Sequence, residues 1–312
     1  MEKNSKIFIA GHSGLVGSAI VRELKKKGYT NVVGYRADLT NRYDTWNIFL
    51  KEQPEYVFGA AAHAGGIMEA ITKPAEMLLD NLLIQSNITE ACRAFDVKKF
   101  LNIGSSCIYP VDGEQPYKEE QLGTGKTDEN WSYAVAKLAG IELCRAYHKQ
   151  YGCNFMTIIP CNLYGINDNF GDNGHVIPML MRKIHESITM VVWGNGEARR
   201  EFLYIDDLAE CAVMLMEQYD YEDLYDGVIN VGNGDDVKIK DVAEMLGWYI
   251  RSGHFHLLYD SEAPQGITTK LMDSSRIRDL GWYPSIEFEE GIKKTYQWFK
   301  GEYEDSALNQ SG

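Results

Sequence analysis

Tyr133 and Lys137 stand four residues apart in Tyr-Ala-Val-Ala-Lys, within a stretch of helical apolar spacing over 132–151. That spacing sets the phenol and the ammonium one turn apart on a single face. A free tyrosine titrates at about 10, and a neighbouring cation favours phenolate, so the pair makes a proton donor for a developing alkoxide. Ketone reduction requires such a donor. Helices hold many chance Tyr and Lys pairs, and this one gains its weight from what precedes it. Gly104-Ser105-Ser106-Cys107-Ile108-Tyr109-Pro110 ends an apolar run, at the strand edge where open α/β sheets bind ligands. Ser105 is placed there to hydrogen-bond a substrate carbonyl beside Tyr133. Read as ordinary residues, the serines are loop caps and Cys107 is a small buried hydrophobe.

The earliest signal in the chain is Gly11-His12-Ser13-Gly14-Leu15-Val16-Gly17, directly after Lys-Ile-Phe-Ile-Ala and at the start of a helical pattern. Glycine lets the backbone turn and approach a pyrophosphate, whose charge then lies against the amide-rich helix N-terminus. The spacing is G-x-x-G-x-x-G, not the commoner G-x-G-x-x-G, so the strand-to-helix context decides for a dinucleotide. Arg36 closes the second apolar run, where dinucleotide binders place the residue that reads the adenosine ribose. An acid there favours a free 2′-hydroxyl, whereas an Arg pairs with a 2′-phosphate, so NADP(H) is expected over NAD. Asp38 is a second candidate for the ribose or the adenine.

These groups need a frame. Short apolar runs at 6–10, 31–35, 56–60, 100–104 and 156–160 alternate with helical patterns at 16–27, 43–53, 75–95 and 132–151. Alternation of this kind predicts an α/β, Rossmann-type doubly wound parallel sheet covered by helices on both faces. We expect residues 1–165 to form this dinucleotide-binding domain. Residues 166–312 should form mainly a smaller C-terminal α/β substrate-binding lobe, with some elements returning to the first domain. The polar stretch 301–312 is expected to fray.

Composition narrows the function classes. The chain has 312 residues, 45% of them hydrophobic and 24% charged, in the range of an ordinary folded enzyme. No run approaches the 18 or so apolar residues of a membrane span, and no cleavable apolar leader is apparent, so a cytoplasmic protein without membrane contact is expected. Six cysteines lack Cys-x-x-Cys spacing, which argues against disulfides and against a metal site. A net charge of −14 repels polyanions and excludes general nucleic-acid binding. A phosphorylated small ligand is compatible with it where a few cations converge.

With these residues in hand, the chain resembles the extended short-chain dehydrogenases/reductases, and among them the GDP-L-fucose synthase family. The likeness runs from about Lys6 to Phe299, through FIAGHSGLVGSAI, GSSCIYP, SYAVAKLAGIELC, NLYGINDNF, HVIPMLMRKIHE, VVWGNGEARREFLYIDD and LGWYP. It implies that Ser105, Tyr133 and Lys137 form a reductase triad, with Lys137 also on the nicotinamide ribose. It implies that Cys107 and His175 form an epimerisation pair, since protons at C3 and C5 flank a C4 ketone and can be exchanged through an enolate. Ala61 and His175 would lie beside the cofactor. Lys183, Trp193, Arg200 and Lys270 would hold a GDP-sugar, and the family's homodimers point to an interface built from helices at 75–95 and 132–151.

Some positions depart from the family pattern. Ser13 replaces an Arg expected near the 2′-phosphate, which leaves the NADP preference on Arg36. His63 replaces a Lys beside the cofactor and sugar, and Pro264-Gln265-Gly266-Ile267-Thr268-Thr269-Lys270 lacks an Asp, a Pro and an Arg near the nucleotide end. The implied activity is NADPH-dependent C4 reduction of a GDP-4-keto-6-deoxy sugar, with C3/C5 epimerisation, or reduction alone on a related heptose. Rival expectations are a nucleotide-sugar 4-epimerase or 4,6-dehydratase that recycles its NAD, and a non-catalytic dinucleotide-binding regulator. The first is disfavoured by Cys107 and His175, the second by retention of both Tyr133 and Lys137.

Overall fold

A computed structural model of the chain describes residues 1–127, 131–263 and 266–310. The first half runs β1 (Ile7–Ala10), α1 (Leu15–Lys26), β2 (Val32–Val33), α2 (Arg42–Glu52), β3 (Tyr56–Gly59), α3 (Ile67–Thr72), α4 (Pro74–Ala94), β4 (Lys99–Ile103), α5 (Trp131–Tyr151) and β5 (Phe155–Pro160). The second half continues with β6 (Asn162–Tyr164), α6 (Val176–Glu186), β7 (Thr189–Trp193), β8 (Arg199–Tyr204), α7 (Ile205–Gln218), β9 (Val228–Val231) and β10 (Asp236–Lys238). It closes with α8 (Ile239–Arg251), β11 (His256–Asp260), β12 (Thr269–Lys270), α9 (Ser275–Asp279) and α10 (Phe288–Gln310).

Six strands pair in the order β2-β1-β3-β4-β5-β9, all parallel. Both faces are covered, which is why β1 is apolar at every position. Ile7 and Ile9 pack into a core with residues of α1 and α7, while Phe8 and Ala10 pack into another with residues of α2 and α4. The chain leaves β1 for β2 on one side and returns to the other side with β3. Loops leaving the carboxyl ends of β1 and β3 therefore diverge, and this switch point opens the crevice where such sheets take ligands.

The smaller lobe is built on β10-β8-β12, with β6 also paired to β8, and on the parallel pair β7–β11. Tyr164, Met181, Phe202, Leu246, Ile292 and Phe299 belong to its core. Only Cys161 separates the end of β5 from β6, so one continuous segment passes from one sheet to the other. β9 and α7 return to the first sheet and to α1.

Local structure differs from the sequence expectations in three places. The second strand is only two residues long and stops before Gly34, where the backbone lies so close to the His12 ring that a Cβ would come within 2.3 Å. A short helix, α3, precedes α4, whose first residue is Pro74, a residue preorganised for that position. The last helix runs to Gln310, well into the stretch expected to fray, and 311–312 lie outside the described residues.

Gly17 holds the glycine turn together. A Cβ there would meet the Gly11 carbonyl oxygen at 2.1 Å and the Gly11 carbonyl carbon at 2.6 Å, and neither backbone can yield. Gly17→Ala should destabilise the fold by about 3 kcal/mol, read as a lower urea midpoint at an unchanged denaturant slope.

Candidate active site

A cleft of about 600 Å³ opens at the switch point between the two lobes. On its dinucleotide side, α1 is preceded at its N-terminal capping position by Gly14, which offers no side-chain cap, and Gly14, Leu15 and Val16 line the wall. The first amides of α1 are thus available to an anion. A Cβ on Gly14 would meet only the Gly11 oxygen, at 3.6 Å. Its missing side chain leaves ligand space, whereas Gly17 is a packing requirement. Gly11 has φ +81, and its close neighbour is the backbone of Ala61, 2.7 Å from a built Cβ. This cradle fits the diphosphate of a dinucleotide.

The remaining dinucleotide candidates sit outside the cleft wall. Ser13 and Arg36 are exposed, with Arg36 free of any ion pair among the described residues. Asp38 is exposed and uses Oδ1 to accept from the Thr40 amide (3.0 Å) and hydroxyl (2.6 Å). Those bonds hold its carboxyl below the usual range. His12 packs beneath Gly34, with a buried Nδ1 that has no partner.

Ser105, Tyr133 and Lys137 converge on the cleft floor. Lys137 is buried, and Nζ donates to the Ile103 carbonyl oxygen at the end of β4 (2.8 Å) while standing 5.6 Å from the centre of the Tyr133 ring. Burial pulls the Lys137 ammonium down to about 8. Burial also pushes the Tyr133 phenol above its ordinary value. Burial thus keeps Tyr133 protonated. Ser105 caps a 3-10 turn over Ser106–Ile108 by accepting from the Cys107 amide (3.4 Å), which presents both side chains to the cleft.

His175 lies on another part of the wall, as the N-terminal capping residue of α6. Its side chain is 49% exposed and lines the cleft. Further out, Lys183 is half-buried, donates to the Val191 carbonyl (3.4 Å) and lies 5.6 Å from the centre of the Trp193 ring. Burial lowers its pKa, with nearby Arg182 adding to the effect. Arg200 and Lys270 are register partners on β8 and β12. The cleft wall therefore gathers Lys137, Lys183, Arg200 and Lys270 against a single carboxylate, Asp168, in a chain of net charge −14. A diphosphate meets a locally positive surface.

The profile of the NAD dependent epimerase/dehydratase family matches residues 7–232. A relative from Arabidopsis thaliana, called putative GDP-L-fucose synthase 2, is 45% identical over 310 residues, covering 96% of this chain and 93% of that protein. The chain belongs to the GDP-L-fucose synthase family. Among solved structures, a GDP-6-OMe-4-keto-L-xylo-heptose reductase from C. jejuni superposes with a TM-score of 0.92 at 34% identity, covering 97% of this chain and 99% of that one. A GDP-mannoheptose C4 reductase from Campylobacter jejuni, solved with NADP bound, gives a TM-score of 0.87 at 36% identity, covering 96% and 99%.

The departures from the family pattern take different places. His63 does not line the cleft: its Nδ1 meets Asp80 (2.8 Å) and its Nε2 meets Glu69 (3.2 Å), while Asn81 bonds its main-chain amide and carbonyl. It thus braces the loop from β3 to α3 and supplies no cation to the ligand, which corrects the sequence expectation. Ala62 and Ala64 face the cleft instead. Of the late run, Pro264 and Gln265 lie outside the described residues, and Gly266 lies close beneath Arg200.

Sequence reasoning missed Asp168 and Glu201. Glu201 is buried on β8 beside Arg200 and accepts from the amides of Gly234 (2.7 Å) and Met272 (3.0 Å). Burial pushes its carboxyl up to about 7. It ties the β9–β10 loop and the chain after β12 to the strand that carries Arg200. An acid directly before the apolar Phe-Leu-Tyr of Arg-Arg-Glu-Phe-Leu-Tyr is the signal that was available. Glu201→Ala leaves those amides without an acceptor and should cost about 3 kcal/mol, measured by urea unfolding.

Proposed function

We propose that this protein catalyses NADPH-dependent reduction of the C4 ketone of a GDP-4-keto-6-deoxy sugar, with epimerisation at C3 and C5. The observation that supports the reading is one cleft in which Tyr133, Lys137 and Ser105 stand beside Cys107, with His175 on the same wall. The dinucleotide, when bound, supplies hydride. Ser105 is placed to donate to the C4 oxygen, and Tyr133 to deliver the proton that turns the alkoxide into an alcohol. Lys137, fixed by the Ile103 carbonyl, orients the nicotinamide ribose and stabilises the phenolate that remains. Cys107 and His175 act as the base and acid that exchange protons next to the ketone.

Lys183, Trp193, Arg200 and Lys270 bind the GDP part. Two or more cations on a diphosphate give the charge-assisted bonds that hold it, and the Trp193 ring offers a face for the nucleotide. Arg36 is the residue we assign to the 2′-phosphate, and Asp38 to the adenosine rim. Because the heptose reductases superpose so closely, reduction of a related GDP-4-keto heptose without epimerisation is the second reading. Exposed Leu79 and Leu83 on α4, next to α5, supply an apolar face for a homodimer. No described helix is long and apolar enough to cross a membrane, and we assign the reaction to the cytoplasm.

Mixing the protein with NADPH and GDP-4-keto-6-deoxymannose should consume NADPH stoichiometrically. Turnover with no added cofactor would instead indicate a recycling epimerase. Tyr133→Phe should slow reduction by about 100-fold or more with NADPH affinity retained. In D₂O, deuterium should enter C3 and C5; incorporation at neither would leave only the reductase reading.

Lys137 gives the pH dependence. Its ammonium is present below about 8 and lost above, and the charged form is the one that orients ribose and phenolate. The apparent second-order constant kcat/KM, which reports the free enzyme, should fall about tenfold per pH unit above this value. Lys137→Arg, charged throughout, should lose the break while working more slowly.

A further inference from the structure

Asp168 is the only carboxylate on the cleft wall among the described residues. A wall that accepts a diphosphate gains nothing from a free negative charge, and a buried carboxylate is costly unless a partner compensates it. Its side chain is 2% exposed. One oxygen, Oδ1, accepts from the Asn169 amide (2.7 Å), which holds the carboxylate in a fixed orientation. The other, Oδ2, is buried with no hydrogen-bond partner. The group that faces this carboxylate is the imidazole of His175, whose Nδ1 lies 3.8 Å from Oδ1.

From this geometry we infer that Asp168 is a positioning residue for His175, accepting from Nδ1–H and turning Nε2 toward the sugar. The inference rests on the epimerase reading given above. A separation of 3.8 Å exceeds a hydrogen bond, and contacts of this kind commonly tighten only in the substrate complex. The main chain of His175 is already fixed, because its carbonyl accepts from the Met179 amide in the first turn of α6 (3.1 Å). Only the ring remains to be oriented.

Electrostatics agree with the placement. Desolvation and the positive N-terminal end of α6 both disfavour imidazolium, yet the His175 pKa is raised, because the nearby Asp168 carboxylate outweighs the burial. The other charged or titratable groups nearby do not offer the ring a carboxylate. Asp172 is paired with Arg182, and Lys183 on α6 is cationic. Cys107, Tyr133 and Lys137 lie elsewhere on the cleft wall. Asp168 thus supplies what a proton donor to an enolate needs: a defined tautomer and an anion that favours the imidazolium.

The first test uses the wild-type protein with ¹⁵N-labelled histidine. Long-range ¹H–¹⁵N spectra should show the neutral His175 ring as the Nδ1–H tautomer, assigned by loss of its signals in His175→Gln, and its titration should lie above the ordinary histidine range. An Nε2–H tautomer titrating at the ordinary value would overturn the proposal. The second test follows deuterium entry at C3 and C5 of GDP-4-keto-6-deoxymannose. Asp168→Asn should slow exchange at least tenfold and move its alkaline pH break to lower pH, since imidazolium loses its anionic partner. Asp168→Glu should restore part of the rate. An unchanged rate and pH break in Asp168→Asn, with NADPH affinity showing an intact fold, would also overturn it. If wild-type protein exchanges no deuterium, the epimerase reading fails, while the tautomer still decides whether Asp168 orients His175.

Discussion

A buried ammonium anchored to a strand-end carbonyl is the constraint from which the rest of the site follows. Lys137 cannot be solvated where it sits, so its bond to the Ile103 oxygen ties the early turns of α5 to the carboxyl end of β4. Tyr133, one turn earlier, is then held over the same floor, and the Ser105 turn that leaves β4 must lie beside it. Backbone geometry at one strand end thus sets three side chains at once. Burial lowers the ammonium and raises the phenol, so Lys137 stands nearer to releasing its proton than a free amine would, while Tyr133 keeps its own.

The molecule also separates its global charge from its local charge. Acidic residues dominate the surface and keep the chain at −14, yet the cleft wall is cationic apart from Asp168. Surface acids are screened over about 8 Å at physiological ionic strength, whereas groups inside the cleft act through a less polarisable medium. A diphosphate therefore responds to Lys183, Arg200 and Lys270 far more than to the outer acids. Glu201 joins this arrangement from behind, because the amides it accepts set how the chain near Lys270 lies against Arg200.

Much of the frame was legible from the chain alone, since the apolar runs fall where the central strands form and the glycine turn lies at the start of α1. Fully buried parallel strands announce themselves because every position must be apolar. The Tyr133 and Lys137 relationship was legible too, because a helix fixes what four residues of separation mean. The Asp168 and His175 relationship was not: six loop residues separate them, with no periodicity to say which way either side chain turns. His63 misled for the same reason, as a residue type at a loop position does not reveal that the ring turns away from the cleft onto Asp80 and Glu69. Glu201 was hidden behind Arg199 and Arg200, where a run of three charged residues reads as an exposed polar stretch although Glu201 is buried.

The passage from β5 into β6 through the single residue Cys161 bears on how substrate enters and product leaves. Because α7 and β9 carry the chain back again, the lobes are stitched together at several crossings, and a wide clamshell motion would have to bend all of them together. Entry and exit must then rely on side chains at the rim, such as Lys183 and Trp193, while the chamber keeps its shape. An enzyme built this way discriminates among sugars by the fit of a rigid mould, and a change of one or two wall residues would be enough to admit a longer carbon chain.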